Sequence, residues 1–153
     1  MDREEILESI KGARRAHQKW LQEAYKLVTS QTIDQSELPV KHTECAFGKW
    51  LHSDGIKLIQ IDSRDALEEI NIKHQMLHIE YKKIYDIFFH EEEEQSFFGK
   101  LLHLKPTISD DEKALALHHY KMLEAISNNL LELIEKLERR ISNLPRSSFD
   151  LFN

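Results

Sequence analysis

Apolar side chains recur every three or four residues along three long stretches of the chain, which is the spacing of a helix that packs on one face. The first stretch covers residues 4–30, the second begins after Ser63 and the third begins near Ser109. The second has the cleanest stripe, made of Leu67, Ile70, His74, Leu77, Tyr81, Ile84 and Phe88. The predicted stripe of the third is made of Leu115, His119, Leu123, Ile126, Leu130, Leu133, Leu137 and Ile141. We therefore predict three long helices, the last of which starts with a capping box at Ser109 and Glu112.

A shorter segment, residues 42–55, contains the only cysteine of the chain. Phe47 and Trp50 follow Cys45 at helical spacing, so a short helix would bury one apolar face with the thiol on its border. Gly48 lies within this helix, where glycine costs about 1 kcal/mol relative to alanine. A glycine at such a position indicates the close approach of another backbone or of a bulky ring. We therefore expect Cys45 to face inward, against other helices.

The low content of glycine and proline, 4 and 3 residues, favours a mostly helical protein. We predict an all-α fold, an antiparallel four-helix-type bundle with a short extra helix that carries the cysteine motif. Residues 1–145 are expected to form a single domain, and an apolar patch within residues 90–108 predicts one or two further helical turns. Residues 146–153 are a C-terminal tail that either frays or serves as a docking peptide, and we favour fraying.

The overall charge limits the classes of partner. A net charge of −6 at pH 7 argues against nucleic acid, because the chain repels phosphates and shows no basic face. No apolar run is long enough to cross a bilayer, so we expect no membrane insertion. The N-terminus has no apolar signal-peptide core. We therefore expect a cytoplasmic protein, in which the thiol stays reduced.

Nine histidines are many for a chain of 153 residues, and besides His119 three of them fall on predicted inward faces. His17 and His74 lie on apolar stripes, and His78 follows His74 by one helical turn on the same face. Burying three imidazoles and a thiol without a ligand would leave several polar groups unsatisfied. Three nitrogens and one thiolate match a closed tetrahedral zinc site, and the soft sulfur favours Zn²⁺ over Mg²⁺ or Ca²⁺. The predicted Zn²⁺ ligands are therefore His17, Cys45, His74 and His78.

The same residues carry a resemblance to the chemoreceptor zinc-binding domain, often called CZB. It rests on three segments: Ala16-His17-Gln18-Lys19-Trp20-Leu21, Cys45-Ala46-Phe47-Gly48-Lys49-Trp50-Leu51 and His74-Gln75-Met76-Leu77-His78. The cysteine segment is the most specific part, and the likeness covers residues 10–140. The resemblance implies an antiparallel helical bundle, commonly dimeric, whose three His and one Cys zinc ligands fall on His17, Cys45, His74 and His78.

The resemblance also implies a cytoplasmic regulatory module of the kind attached to bacterial chemoreceptors or diguanylate cyclases. Such modules report zinc availability, or oxidants such as hypochlorous acid that attack the zinc-bound cysteine. The resemblance therefore implies that Cys45 is the redox-sensing residue, and its thiolate is the oxidisable form. This chain is expected to be the domain alone. We expect a homodimer that acts in trans on a chemoreceptor or diguanylate cyclase signalling protein, and so modulates chemotaxis or cyclic-di-GMP signalling.

Other interpretations of the same histidines remain open. An enzyme is not expected, because Gln75 replaces the catalytic Glu of the HExxH motif and four protein ligands leave no open metal position. A haemerythrin-like di-iron bundle would use His17, His74 and His78 with a late pair, His119 and Glu124, but its His-x-x-x-Glu helix is missing. A purely structural zinc is the simplest alternative. His42 and His119 are candidates to contact the ligands rather than to bind metal.

Overall fold

The computed structural model describes residues 2–29, 38–61, 63–89 and 108–152. Three long helices are present: α1 (Arg3–Val28), α3 (Arg64–Phe88) and α4 (Asp110–Asn143). The short α2 (Ala46–Trp50) follows Cys45 and continues through a π-helical turn, Leu51–Gly55. The prediction of an all-α bundle with a short helix at the cysteine motif is therefore confirmed. The apolar patch predicted in residues 90–108 falls almost entirely outside the described residues.

Side-chain contacts show that α1 and α4 run antiparallel. Arg3, at the start of α1, reaches the carbonyl oxygen of Leu144, just past the end of α4. Farther along α1, Arg14 pairs with Glu138, and Tyr25 packs on Tyr120 near the start of α4. The start of α1 therefore lies beside the end of α4, and the two helices run in opposite directions.

The helix α3 also runs antiparallel to α4, with which it forms the largest helix interface of the described chain. The 3-10 turn that leads into α3, Leu58–Ile61, packs against the 3-10 helix that follows α4, Arg146–Phe152. Toward the other end of the pair, Glu80 of α3 hydrogen-bonds His119 of α4. Both α1 and α3 thus pack on α4, and the Cys45 segment lies against α1 and α3.

The buried stripes agree with the predicted ones to different degrees. Every predicted position of the α3 stripe is buried. In α4 the predicted stripe is wrong by one residue at several positions: Ala116, Tyr120, Ser127 and Ile134 are buried in place of Leu115, His119, Ile126 and Leu133. Each of these pairs offers two neighbouring candidates for the core, and packing against α1 and α3 selects the second.

The helix starts follow their sequence signals. Ser109 and Glu112 form the predicted capping box, and Asp2 and Glu5 form a second one at α1.

The C-terminal tail differs from the fraying that we favoured, since Arg146–Phe152 is helical and Phe149 is buried in the core. Among the described helices, none has the length and apolar character needed to span a bilayer.

Candidate metal centre

The cysteine motif is shaped by a helix start. Cys45 is the N-cap of α2 rather than a residue of its apolar face, and its sulfur accepts a hydrogen bond from the backbone N–H of Gly48 at 3.2 Å. The thiol in turn donates to the carbonyl oxygen of His42 at 3.3 Å. Phe47 and Gly48 are buried with it. The predicted inward orientation of Cys45 is confirmed.

Gly48 permits the close contact that its presence in a helix predicts. A Cβ atom at this position would lie 1.7 Å from the carbonyl oxygen of His42 and 3.2 Å from Cε1 of His74. The first distance is far inside van der Waals contact, so only glycine lets the chain at His42 fold back over α2. Both expected kinds of neighbour, a backbone and a ring, are present.

Three of the four predicted ligands meet in the core. Each of Cys45, His74 and His78 is buried, and one ligand atom from each lies within 4.8 Å of the other two. The sulfur of Cys45 is 3.2 Å from Nε2 of His74. Ligand atoms around a tetrahedral zinc are separated by roughly 3.5 Å, so the donor spacing suits a zinc ion. We call these three residues the Cys45 group.

The nitrogens of the Cys45 group are arranged for a metal. Nδ1 of His78 donates to the carbonyl oxygen of Val40 at 2.7 Å, which leaves the lone pair on Nε2. Nδ1 of His74 is buried without a hydrogen-bond partner among the described residues. Nε2 of His74, in contrast, faces the Cys45 sulfur, so each of the two rings offers one nitrogen within 4.8 Å of that sulfur. The residues present therefore fit a bound metal ion.

The electrostatics keep these groups neutral in the absence of bound metal. Burial, with the neighbouring imidazoles, lowers the pKa of His74 to about 2. Burial likewise lowers the pKa of His78 to about 4, although its bond to Val40 opposes the shift. Burial raises the pKa of the Cys45 thiol, against the opposing effect of the Gly48 N–H. The imidazoles thus keep free lone pairs near neutral pH, whereas a metal must displace the thiol proton.

His17, the fourth predicted ligand, is buried on α1 but lies outside the Cys45 group. Its Nε2 atom is 2.8 Å from the hydroxyl oxygen of Ser127 on α4. Its ring packs on the rings of Phe47 and Trp20. Phe47 also packs on His74, and Trp20 also packs on His78. His17 therefore borders the same part of the core, and its role as a ligand stays a prediction.

The two histidines predicted to contact the ligands have different surroundings. The ring of His42 lies 6.1 Å from that of His74 and 6.4 Å from that of His78, measured between centroids. His42 also contacts Cys45 through its carbonyl. His119, in contrast, forms a hydrogen bond of 2.6 Å through Nδ1 with Glu80, which links α4 to α3. This pairing gives the haemerythrin-like interpretation no support.

Two contacts of the site were not predicted from the sequence. The carbonyl of Val40 could not be foreseen, because a backbone acceptor has no sequence signal. Ser127 has one: it lies four residues after Leu123 and three before Leu130, at the spacing of the buried stripe. The apolar pattern instead predicts its more apolar neighbour, Ile126, as the core residue.

Comparison with known families gives a match over the segment that contains the site. Residues 17–85 match the family model of the chemoreceptor zinc-binding domain, CZB. The resemblance predicted from the sequence is confirmed over these residues, a shorter stretch than the predicted 10–140. The CZB segment includes His17 and the whole Cys45 group, and α4 lies beyond it. Comparisons with curated proteins and with solved structures give no match.

Proposed function

We propose that this chain is a zinc-binding regulatory module, in which Cys45, His74 and His78 hold Zn²⁺ and His17 is the fourth ligand. The observation that carries the proposal is the buried Cys45 group, which lies inside the CZB segment. One sulfur and three imidazole nitrogens form a closed tetrahedral set without an open position for a substrate. The proposed role is therefore binding and regulation rather than catalysis.

The physical chemistry of the donors supports zinc as the ion. The imidazoles are neutral near pH 7, so no charge has to be removed from them before they bind. The thiolate is a soft ligand and stabilises Zn²⁺ more than it stabilises Mg²⁺ or Ca²⁺. Zinc would release the Cys45 proton and replace a weakly paired thiol by a strong metal–sulfur bond.

We propose that the signal is zinc itself or an oxidant that reacts at Cys45. A two-electron oxidant such as hypochlorous acid would transfer its oxygen to the Cys45 thiolate, which gives a sulfenate, chloride and a proton. Sulfenate is the poorer zinc ligand. A surface groove of about 370 Å³, whose walls include His42, Thr43, Gln75 and His78, lies beside the site. Under this proposal a small oxidant would approach the buried Cys45 from this groove.

The output that fits a CZB module is a change in bacterial chemotaxis or in cyclic-di-GMP signalling. CZB domains occur in chemoreceptor-type signalling proteins. We propose that this chain acts as a cytoplasmic homodimer on a chemoreceptor or a diguanylate cyclase. Crosslinking in cells, with and without oxidant, followed by identification of the captured chain, tests this part of the proposal.

The first experiment is the metal content of the purified protein, measured by elemental analysis for the wild type, Cys45→Ala and His52→Ala. The His52 variant is the matched control, since this residue lies in the turn after α2 but outside the Cys45 group. We expect about one zinc per chain in the wild type and the control, and a loss of zinc in Cys45→Ala. Two irons per chain that do not depend on Cys45 would refute the proposal and favour a di-iron bundle.

A second measurement separates a sensor from a purely structural zinc. Far-ultraviolet circular dichroism is recorded before and after chelation of the zinc. A regulatory module should remain helical, because most of the α1, α3 and α4 interfaces do not involve the metal. A protein that zinc merely holds together should lose its helical signal on chelation.

A further inference from the structure

Ser127 is a polar residue in the apolar core stripe of α4. It is 0% exposed, and its stripe neighbours Leu123, Leu130 and Ile134 are equally buried. A buried hydroxyl without a partner is destabilising, so a serine in this position needs a hydrogen bond. His17 provides it, since Nε2 of its ring lies 2.8 Å from the hydroxyl oxygen.

This hydrogen bond decides which nitrogen of His17 is available. A neutral imidazole has one N–H donor and one lone pair, so the hydrogen bond of the buried His17 ring occupies one nitrogen and leaves the other. With Nε2 directed at Ser127, Nδ1 is the nitrogen left for a metal. His78 shows the same arrangement with its nitrogens exchanged, because Nδ1 is tied to Val40 and Nε2 is free. A histidine ligand is typically oriented by such a bond to its second nitrogen.

We infer that Ser127 is a positioning residue of the zinc site, which fixes the His17 ring so that Nδ1 serves as the fourth ligand atom. The inference rests on the proposed function. It assigns a role to α4, which lies outside the CZB segment, and it makes zinc binding depend on the contact between α1 and α4. Removal of the hydroxyl frees the ring to rotate, and an outer partner of this kind typically changes metal affinity 10–100-fold.

The test measures the zinc dissociation constant by competition with a chelator. Ser127→Ala should weaken zinc binding about tenfold while the helical signal is kept. The change is also made in a His17→Ala background. If Ser127 acts through His17, adding Ser127→Ala to the His17→Ala variant should not weaken zinc binding further. Equal losses in both backgrounds, or an unchanged constant in Ser127→Ala, would overturn the inference.

A second pair of variants separates the loss of the hydroxyl from a change in core packing. Ser127→Thr and Ser127→Val have nearly the same shape and differ by a hydroxyl against a methyl group. We expect Ser127→Thr to bind zinc clearly more tightly than Ser127→Val. With Co²⁺ as a spectroscopic probe, Ser127→Val should also show an altered visible spectrum. Equal affinities and spectra for the two variants would reject the positioning role.

The outcomes for Ser127 and for the proposed function are distinguishable. Zinc that binds one per chain and depends on Cys45 but not on Ser127 leaves the zinc module intact and overturns the positioning role alone. A wild-type protein that holds no zinc overturns both. The wild type and Cys45→Ala are therefore measured in the same titration series as the Ser127 variants.

Discussion

Replacing Gly48 with alanine tests the close packing that forms the site. Alanine within a helix normally stabilises a protein by up to about 1 kcal/mol relative to glycine. Here the new Cβ would lie 1.7 Å from the carbonyl oxygen of His42, where carbon atoms prefer a separation of about 3.5 Å or more. The chain at His42 must therefore move by more than about 1 Å. Overpacking of this kind costs about 1–3 kcal/mol.

We expect Gly48→Ala to destabilise the chain by a net amount of up to about 2 kcal/mol, once the helix gain of up to about 1 kcal/mol is subtracted. Gly12→Ala is the matched control. Gly12 lies in the interior of α1, and a Cβ there would meet nothing closer than an Arg15 side-chain nitrogen at 3.9 Å. This control should be stabilised by up to about 1 kcal/mol, so the two substitutions are expected to differ in sign.

The assay is urea unfolding followed by circular dichroism, with chelator-treated and zinc-loaded protein. Zinc affinity is measured in parallel, because the shifted carbonyl of His42 is also the acceptor of the Cys45 thiol. We expect weaker zinc binding in Gly48→Ala and unchanged binding in Gly12→Ala. Were Gly48→Ala as stable as Gly12→Ala, with zinc affinity intact, the described path of the chain over α2 would be wrong.

Two further outcomes follow from burial in the core. The pKa of His17, about 4, is below the ordinary value of 6.5, so the unfolded chain takes up a proton first as the pH falls. The free energy of unfolding of chelator-treated protein should therefore drop between pH 6.5 and 4, and this imidazole contributes up to about 1.4 kcal/mol per pH unit. The drop should be smaller in His17→Gln. A free energy from urea unfolding that does not change with pH would contradict the burial of His17. Phe149→Ala should lower the free energy of unfolding by about 3 kcal/mol, whereas Leu151→Ala in the same 3-10 helix should change it by less than about 0.5 kcal/mol. Phe149 is 3% exposed and Leu151 is 67% exposed, so equal effects would show that the tail does not pack.

The sequence predicted α3 well because its buried positions contrast with their neighbours. Along α3 the predicted stripe is apolar apart from His74, and charged residues separate many of its positions. In α4 the contrast fails, since Leu115 stands beside Ala116 and Leu133 beside Ile134. A period of three or four cannot choose between adjacent apolar residues, so only packing with another helix decides the register.

The site was predictable to the extent that its residue types are rare in a core. A single cysteine and a pair of histidines one turn apart suffice to predict the Cys45 group, which the structure brings together. The contacts around it were less accessible to sequence reasoning. The carbonyl oxygens of Val40 and His42 are backbone acceptors, which no residue type predicts. The sequence of the tail likewise does not predict that Phe149 is buried in the core.

The residues that would hold zinc also hold the segment that carries Cys45. His78 bonds the carbonyl of Val40, and one turn later Tyr81 bonds that of Leu38 at 3.4 Å. Trp50, at the end of α2, is tied to Ser9 of α1 by a bond of 2.7 Å. These few contacts connect the segment to two helices that are themselves joined through α4. Under the proposed function, loss of the metal–sulfur bond removes one of the strongest attachments, so the segment from Leu38 to Trp50 is the part of the surface that should change first.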